Sequence, residues 1–484
     1  MLARSNTTTK GTHMADLVDV PTDLTGALGA IVGADHVLTG DAISDDYAHD
    51  EALTAAAMLP LAVVRPADTD GVAAIVSWAA ANAIPVTARG SGTGLSGACI
   101  PQPDGLVVSF ERMDAIIEID TANHVAVVQP GVTLAQLDEA TAAVGLVYPV
   151  FPGESSASLG GNVATNAGGM RAIRYGVTRH QVLGLEAVLG TGEVLRTGGK
   201  FVKATSGYDL TQLVIGSEGT LALATEATLK LHPRLTHGST VLIPFPALDE
   251  VAAAVPRIVG SGLAPTILEY IDLVTMGAIT TSAGLDLGIP QEIKDSALAY
   301  LVVVLENRSD ERVEEDVAEL GTLATDLGAL DLYVLPSGSG AALIEAREKA
   351  FWTAKAMGAD DIIDLVIPRS AMPNYLATVQ DIAGETGSLV VGCGHAGDGN
   401  VHLSVFQGDP DARTQVVGRI LQAGADLGGA VSGEHGIGTE KKRYLAAIED
   451  PAKLDLMRRI KVAFDPTGIL NPGVVFDDQP SGEQ

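Results

Sequence analysis

At 484 residues, with 46% hydrophobic and 19% charged residues, the chain exceeds one ordinary core and reads as a two-domain globular protein. Its 55 glycines and 23 prolines fit a loop-rich α+β organisation better than a helical bundle. The net charge of −30 arises from few Lys and Arg (30, against 60 Asp and Glu) spread without long acidic runs, which argues against nucleic acid as a partner.

The opening, Met1 to about Asp16, has a threonine run and Gly11-Thr12-His13-Met14 but no apolar core of a signal peptide. Residues 1–20 are therefore expected to be a tag remnant or a disordered start and take no part in the fold reasoning. Asp23 to about Met58 has a helical pattern. LAVVRPAD (61–68) then reads as a strand, 70–82 as a helix and 84–88 as a strand, a small βαβ unit. GLVVSF (105–110), AIIEID (115–120) and HVAVVQP (124–130) are three short β-rich runs expected to continue as antiparallel sheet. An amphipathic helix follows at 132–145, and 183–198 and 220–233 read as hairpin-like strands with glycine turns. These elements make a first domain over 21–236.

From Ser239 the pattern changes to strand 239–243, helix 247–261, strands 266–271 and 298–305, acidic helix 309–327 and strand 332–336. Antiparallel strands with covering helices imply a second domain over 237–462, leaving 463–484 as a closing segment. The best membrane candidates, 71–86 and 297–305, are broken by Asn82 and Pro85 or fall short of the ~18 apolar residues of a membrane helix. Two distant cysteines, Cys99 and Cys393, imply neither a disulfide framework nor a thiolate zinc site and fit a reducing compartment. The expectation is a cytoplasmic protein, with peripheral contact at the inner membrane face left open.

GTGLSG (92–97) matches G-x-G-x-x-G letter for letter, the fingerprint of nicotinamide-dinucleotide folds. That fingerprint needs a helix beginning at its last glycine, yet Gly97 is followed by ACIPQPDG, and Pro101 and Pro103 forbid one. The acidic ribose ligand would also fall inside a strand, near Glu118 or Asp120. The loop still offers several free backbone N–H groups suited to phosphate oxygens, with a plain flexible loop as the alternative. GESSASLGGNVATNAGGMRAIRYG (153–176) and GSEGT (216–220) repeat the theme. Three Gly/Ser/Asn-rich loops in one domain imply a large, flat ligand approached closely by backbone.

In GHAGDGNVH (394–402), Asp398-Gly399 reads as a two-residue hairpin turn. Centring the turn there pairs residue 397 with 400, 396 with 401, and His395 directly with His402, their Cβ atoms ~5 Å apart on one face. Two imidazoles so placed can share a divalent ion, with Glu434 of SGEHGIG as the natural third ligand; the alternative is a histidine pair hydrogen-bonded to the sheet surface.

The order of motifs resembles a known family: flavoproteins of the vanillyl-alcohol oxidase (PCMH) type, and within them the FAD-linked D-2-hydroxyacid dehydrogenases. These include D-lactate dehydrogenase, glycolate oxidase flavoprotein subunits and D-2-hydroxyglutarate dehydrogenase. The resemblance rests on ARGSGTGLSG (88–97), GGNVATNAGG (160–169) with RYG (174–176), KATSGYDLTQLVIGSEGT (203–220), GHAGDGNVH (394–402), GEHGIG (433–438) and FDPTGILNPG (464–473). It implies a PCMH-type FAD-binding domain followed by a substrate domain of the FAD-linked oxidase type, with the closing segment returning to the FAD domain. FAD contacts would fall on Arg89, Gly90, Ser91, Gly92, Thr93, Gly94, Leu95 and Ser96 in the pyrophosphate loop. Further contacts would be Pro152, Gly153, Gly160, Gly161, Asn162, Ala164, Asn166, Gly168, Gly169, Tyr175, Gly176, Glu218, Gly219 and Asn471. With no histidine beside Thr93, the FAD is expected to be non-covalent. Ala222 replaces a glycine frequent in relatives after GSEGTL, which puts only local flavin contacts in doubt.

The resemblance further implies that His395, His402 and Glu434 bind zinc, or Mn2+ or Fe2+, that His435 is the catalytic base, and that Arg347 receives the substrate carboxylate. Asn400 would add a contact near the metal. Oxidising a 2-hydroxy acid requires loss of its hydroxyl proton as hydride leaves Cα for the flavin, which suits a metal-held hydroxyl beside a neutral histidine. Relatives acting on hydroxyglutarate carry a Thr one turn after the arginine and a Lys shortly before an Asp-Leu-x-x-Pro strand. Phe351 and Ile362 stand there instead, although Lys355 offers a charge from another angle. The expected substrate is therefore D-lactate, glycolate or a longer monocarboxylic D-2-hydroxy acid. The other readings are a hydroxyglutarate dehydrogenase or oxygen-using oxidase on the same scaffold, or a non-catalytic subunit of an electron-transfer complex, against which the intact histidines argue. The electron acceptor is left open among quinone, cytochrome, iron–sulfur protein, electron-transfer flavoprotein and dye, and a homodimer is the expected assembly.

Overall fold

The computed structural model describes residues 23–477, so the expected tag remnant lies outside the described residues. Three sheets organise the chain. β1 (Val37–Thr39), β2 (Ala62–Val64), β3 (Val86–Arg89) and β4 (Leu106–Ser109) form the first, in the order β1-β2-β4-β3. Between β2 and β3 runs helix Thr69–Ala81, capped by Asp68, whose carboxylate accepts from Gly71 N at 2.8 Å. Its buried Val72, Ile75, Val76 and Ala79 recur at one-turn spacing and face the sheet.

The βαβ unit is present, but β4 inserts between its two strands and runs parallel to both. The sequence reading placed 105–110 in an antiparallel sheet; three consecutive β-rich runs give no sign of which one enters the crossover. Residues 23–58 also differ from expectation. Only Leu24–Val32 forms an α-helix, ended by Gly33 at φ 92°, and short 3₁₀ turns and β1 follow.

β5 (Ile116–Asp120), β6 (Val125–Val128), β8 (Val182–Leu189), β9 (Val194–Gly198) and β10 (Ala222–Lys230) form the second sheet, antiparallel, in the order β5-β6-β10-β8-β9. The short β7 (Leu146–Val147) and β11 (His232–Pro233) pair beside it. Near the chain's end Val86 bridges Leu470, and Ile469 and Leu470 are buried in the first sheet's core, so the closing segment returns to where the fold began.

The third sheet has seven antiparallel strands: β12 (His237–Phe245), β13 (Ile267–Asp272), β14 (Ala299–Asn307), β15 (Tyr333–Leu335), β16 (Asp361–Val366), β17 (Leu389–Gly394) and β18 (Asn400–Phe406), in the order β15-β12-β14-β13-β17-β18-β16. Alternation sends Val241 and Ile243 to one face, packed with residues of helices Leu248–Gly260, Met372–Thr386 and Pro410–Asp426. Leu242, Ile271 and Cys393 go to the other face, against helices Leu273–Ala283 and Ser337–Glu348. On that second face, over β16, β18 and β17, the helices leave room for a site. Among the described residues no helix is long and apolar enough to cross a membrane.

Candidate active site

Two cavities meet. The first lies among the glycine-rich loops and is lined by residues 90–95, 152–153, 160–162, 164, 218–219 and 471, all expected at the flavin. Backbone contact builds its walls. A Cβ on Gly90 would collide with the Ser158 hydroxyl, so only glycine lets these two loops meet. Asn471 donates Nδ2 to Ala98 O at 2.9 Å and to Glu218 O at 2.7 Å, joining three loops at one side chain. The amides of Gly92, Thr93, Gly94 and Leu95 make no hydrogen bond among the described residues, leaving a row of donors for anionic oxygens.

Seven residues expected at the flavin do not line this cavity, and five of them stand behind its wall. Arg89 donates to His49 O at 2.7 Å and lies over the Tyr47 ring, so it buttresses the loop from outside. Ser96 O accepts from Thr439 N at 3.0 Å, and Asn166 Oδ1 accepts from Arg179 N at 3.0 Å. Tyr175 packs edge-on against His232, and Gly176 makes room for His180. Gly168 packs against Glu434 instead, because a Cβ there would come within 2.6 Å of Glu434 Oε2. Gly169 borders the second cavity.

That second cavity lies on the open face of the third sheet and contains Arg347, His395, His402, Glu434 and His435. Glu434 Oε1 is 3.1 Å from His395 Nε2 and 3.2 Å from His402 Nε2, a convergent His₂Glu set. Asp364, His402 and His435 converge as a second group sharing His402. The hairpin reaches this geometry by another route than expected. Cys393, not His395, pairs with His402, and the amides of Asp398, Gly399 and Asn400 all donate to His395 O in a longer loop. The register thus differs by two residues, which keeps every side chain on its face, so the imidazoles still meet with ring centroids 4.9 Å apart. Glu434 and His435 line both cavities.

Residues 234–475 match the family model described as "FAD linked oxidases, C-terminal domain", and residues 60–198 match "FAD binding domain". An uncharacterized FAD-linked oxidoreductase of Mycobacterium tuberculosis is 57% identical over 456 residues, covering 94% of this chain and 99% of that protein. The D-lactate dehydrogenase of Archaeoglobus fulgidus is 36% identical over 89% of this chain and 96% of its own. The chain belongs to the FAD-linked oxidase family. Its fold is likewise that of solved p-cresol methylhydroxylase, with TM-score 0.78, 19% identity and coverage of 94% and 96% of the two chains. It is thus an FAD-linked oxidoreductase of the group containing D-lactate, glycolate and D-2-hydroxyglutarate dehydrogenases, with a PCMH-type FAD-binding domain and an oxidase C-terminal domain.

Within this FAD-linked oxidase, residues that sequence reasoning did not single out hold the site together. Glu269 on β13 is fully buried; its Oε1 lies 2.7 Å from His395 Nδ1 and its Oε2 2.7 Å from Arg347 Nη2. Asp364 on β16 pairs across the sheet with His402, and its Oδ2 accepts from Ser432 Oγ (2.7 Å), Gly433 N (3.0 Å), Glu434 N (2.9 Å) and His435 N (2.8 Å). One carboxylate oxygen therefore shapes the loop that carries Glu434 and His435. Asn400, expected to add a contact near the metal, spends its amide on Asp364 Oδ1 (2.7 Å) and Leu365 O (3.0 Å), so it acts through Asp364. Carboxylates supporting the outer nitrogens of ligating histidines fix ring orientation, which suits this donor set to a divalent ion.

Burial works against charge on Glu434, but His395 and His402 beside it hold its carboxyl well below the usual range. Burial pushes His435 down to about 4 despite the Asp364 carboxylate, with Lys441 adding to the depression, so the ring is neutral at neutral pH. Its Nδ1 has no hydrogen-bond partner among the described residues, nor have Arg347 Nε and the buried Lys441 Nζ. Lys355 does not reach the cavity: its ammonium pairs with Glu51 at 2.6 Å, while Phe351 and Ile362 line the wall.

Proposed function

We propose that this oxidase converts a D-2-hydroxy monocarboxylic acid, of the D-lactate or glycolate kind, to the 2-oxo acid. The observation that carries the reading is the position of His435: a neutral imidazole beside a His₂Glu set, on the wall shared by the two cavities. Bound FAD would supply the two-electron acceptor, and a divalent ion at His395, His402 and Glu434, with Zn2+, Mn2+ or Fe2+ suited to these ligands, would polarise the hydroxyl. Arg347 binds the carboxylate through its unpartnered N–H groups, held in place by Glu269. His435 takes the hydroxyl proton, and Asp364 fixes its backbone. A hydroxyglutarate substrate is disfavoured because Phe351 and Ile362 offer no charge to a second carboxylate.

Anaerobic addition of D-lactate, L-lactate, glycolate and D-2-hydroxyglutarate to the metal-replete flavoprotein tests this; failure of every 2-hydroxy acid to bleach the flavin would refute it. Chelation is expected to stop bleaching and added Zn2+ or Mn2+ to restore it. Glu434→Gln should stay yellow while holding less than about a tenth of an ion per chain by elemental analysis, given the 10–100-fold affinity losses seen even for outer-sphere changes. A base works only when neutral, so activity is lost as pH falls through its pKa. The acid limb of kcat/KM is accordingly expected at or below about pH 4. A limb near the ordinary histidine value of ~6.5 would contradict a buried neutral base.

A further inference from the structure

The cavity holding the candidate metal ligands extends far beyond the space a three-carbon acid needs, and its character changes along its length. Three side-chain rows cross the open face of the sheet. Asp364, His402 and Cys393 are in register and form the polar row. Ile362, Ser404 and Val391 form the next, and Phe406 with Leu389 the third. Rows two residues apart are separated by ~6.7 Å, so the third lies ~13 Å from His402. The roof is apolar as well: Ala278 and Ile279 of helix Leu273–Ala283, and Phe351 and Ala354 of helix Ala350–Ala356. At the far end Val274, Met357 and Leu389 are 47%, 56% and 50% exposed, so the channel opens to solvent through an apolar rim.

Every charged or imidazole side chain lining this cavity belongs to the head: Arg347, Glu348, His395, His402, Glu434 and His435. Beyond them the polar side chains are the hydroxyls of Thr275, Thr353 and Ser404. A tail lying there would find no partner for a charge and apolar contact on both sides.

We infer that the substrate of this site is a 2-hydroxy acid with a medium-length apolar chain, its carboxylate at Arg347 and its tail along the channel between the sheet and the helices Leu273–Ala283 and Ala350–Ala356. This rests on the 2-hydroxy acid reading above and specifies its substrate class. At ~1.3 Å advance per carbon, from a ~1.52 Å bond in a zigzag, ~13 Å accommodates on the order of eight to ten carbons.

The test is a series of D-2-hydroxy acids from D-lactate through 2-hydroxybutanoate and 2-hydroxyhexanoate to 2-hydroxyoctanoate, with kcat/KM read on the holoenzyme. Each methylene buried in the channel is expected to raise it about fourfold, so the octanoate exceeds lactate by at least a hundredfold. Ala278→Phe, which narrows the roof, should flatten the series. Met357→Asp, at the exposed rim where folding is not at stake, should remove the gain from the last carbons. A series in which lactate equals or exceeds the octanoate overturns the inference. Calorimetric binding of pyruvate and 2-oxooctanoate separates the two readings. Tighter binding of the octanoate with no oxidation of any hydroxy acid supports the channel and refutes the reaction; oxidation with equal binding of both oxo acids refutes the channel alone.

Discussion

Replacing His435 by alanine is expected to leave a yellow, folded flavoprotein whose bleaching by a 2-hydroxy acid is slower by about two to four orders of magnitude, the usual contribution of a positioned base. FAD content should be unchanged, because the ring forms only one edge of a cavity otherwise walled by the glycine-rich loops. Ion content should also hold, since His395, His402 and Glu434 remain. The three readouts separate loss of the base from loss of the site. Wild-type bleaching rates in this variant would remove His435 from the mechanism; loss of flavin would make its role structural.

Asp364→Asn is the second substitution with a large effect, although Asp364 touches neither cavity's contents. One carboxylate oxygen accepts four donors and the other accepts Asn400. An amide has one acceptor and one donor end, so in either orientation its NH₂ faces other donors in a fully buried place. Breaking a buried charged network of this kind costs about 3–5 kcal/mol, and loop 432–435 loses its template. We expect a lower unfolding midpoint together with weakened ion retention. An unchanged midpoint with a full complement of ion would show that the loop holds its shape without Asp364. Burial opposes the charge of Asp364, but His435, Lys441 and His402 keep its carboxyl far below the ordinary range. The folded pKa is thus depressed, so this stabilisation is present above the unfolded value of ~3.9 and is lost as pH falls through the lower folded value.

Both networks mark where sequence reading stops. Between residues 61 and 336 most strands and the helices at 69–81, 134–142, 248–260 and 310–326 were legible, because period-2 and period-3.6 patterns bounded by Gly and Pro are local signals, whereas helices Leu273–Ala283, Met372–Thr386, Pro410–Asp426 and Pro451–Phe464 were not read. The glycine loops and the His, His, Glu-His set were legible through their residue types. Partner choice was not: nothing local in 105–110 says that β4 lies between β2 and β3, nor that the 394–402 hairpin closes with a longer loop. Asp364 and Glu269 were not singled out, yet a signal was there. ILEYID and DIIDLV each set a carboxylate inside an apolar strand, where an unpartnered charge is too costly to keep. A charge in such a run advertises a buried partner, although its identity, Arg347 and His395 for one and the 432–435 loop for the other, comes only from the fold.

Glu218 links the two halves of the site. Its backbone carbonyl is held by Asn471 at the floor of the flavin cavity, while its carboxylate accepts from Ile437 N and Gly438 N, both at 2.8 Å, just past His435. The flavin cavity and the loop proposed to hold the ion are therefore joined through one residue. By thermodynamic reciprocity, any free energy through which bound flavin orders Glu218 would tighten the hold of the 432–438 loop on the proposed ion, and that ion would return the same factor to the flavin. Binding of FAD and of the proposed ion is then expected to be cooperative, so that loss of one favours loss of the other.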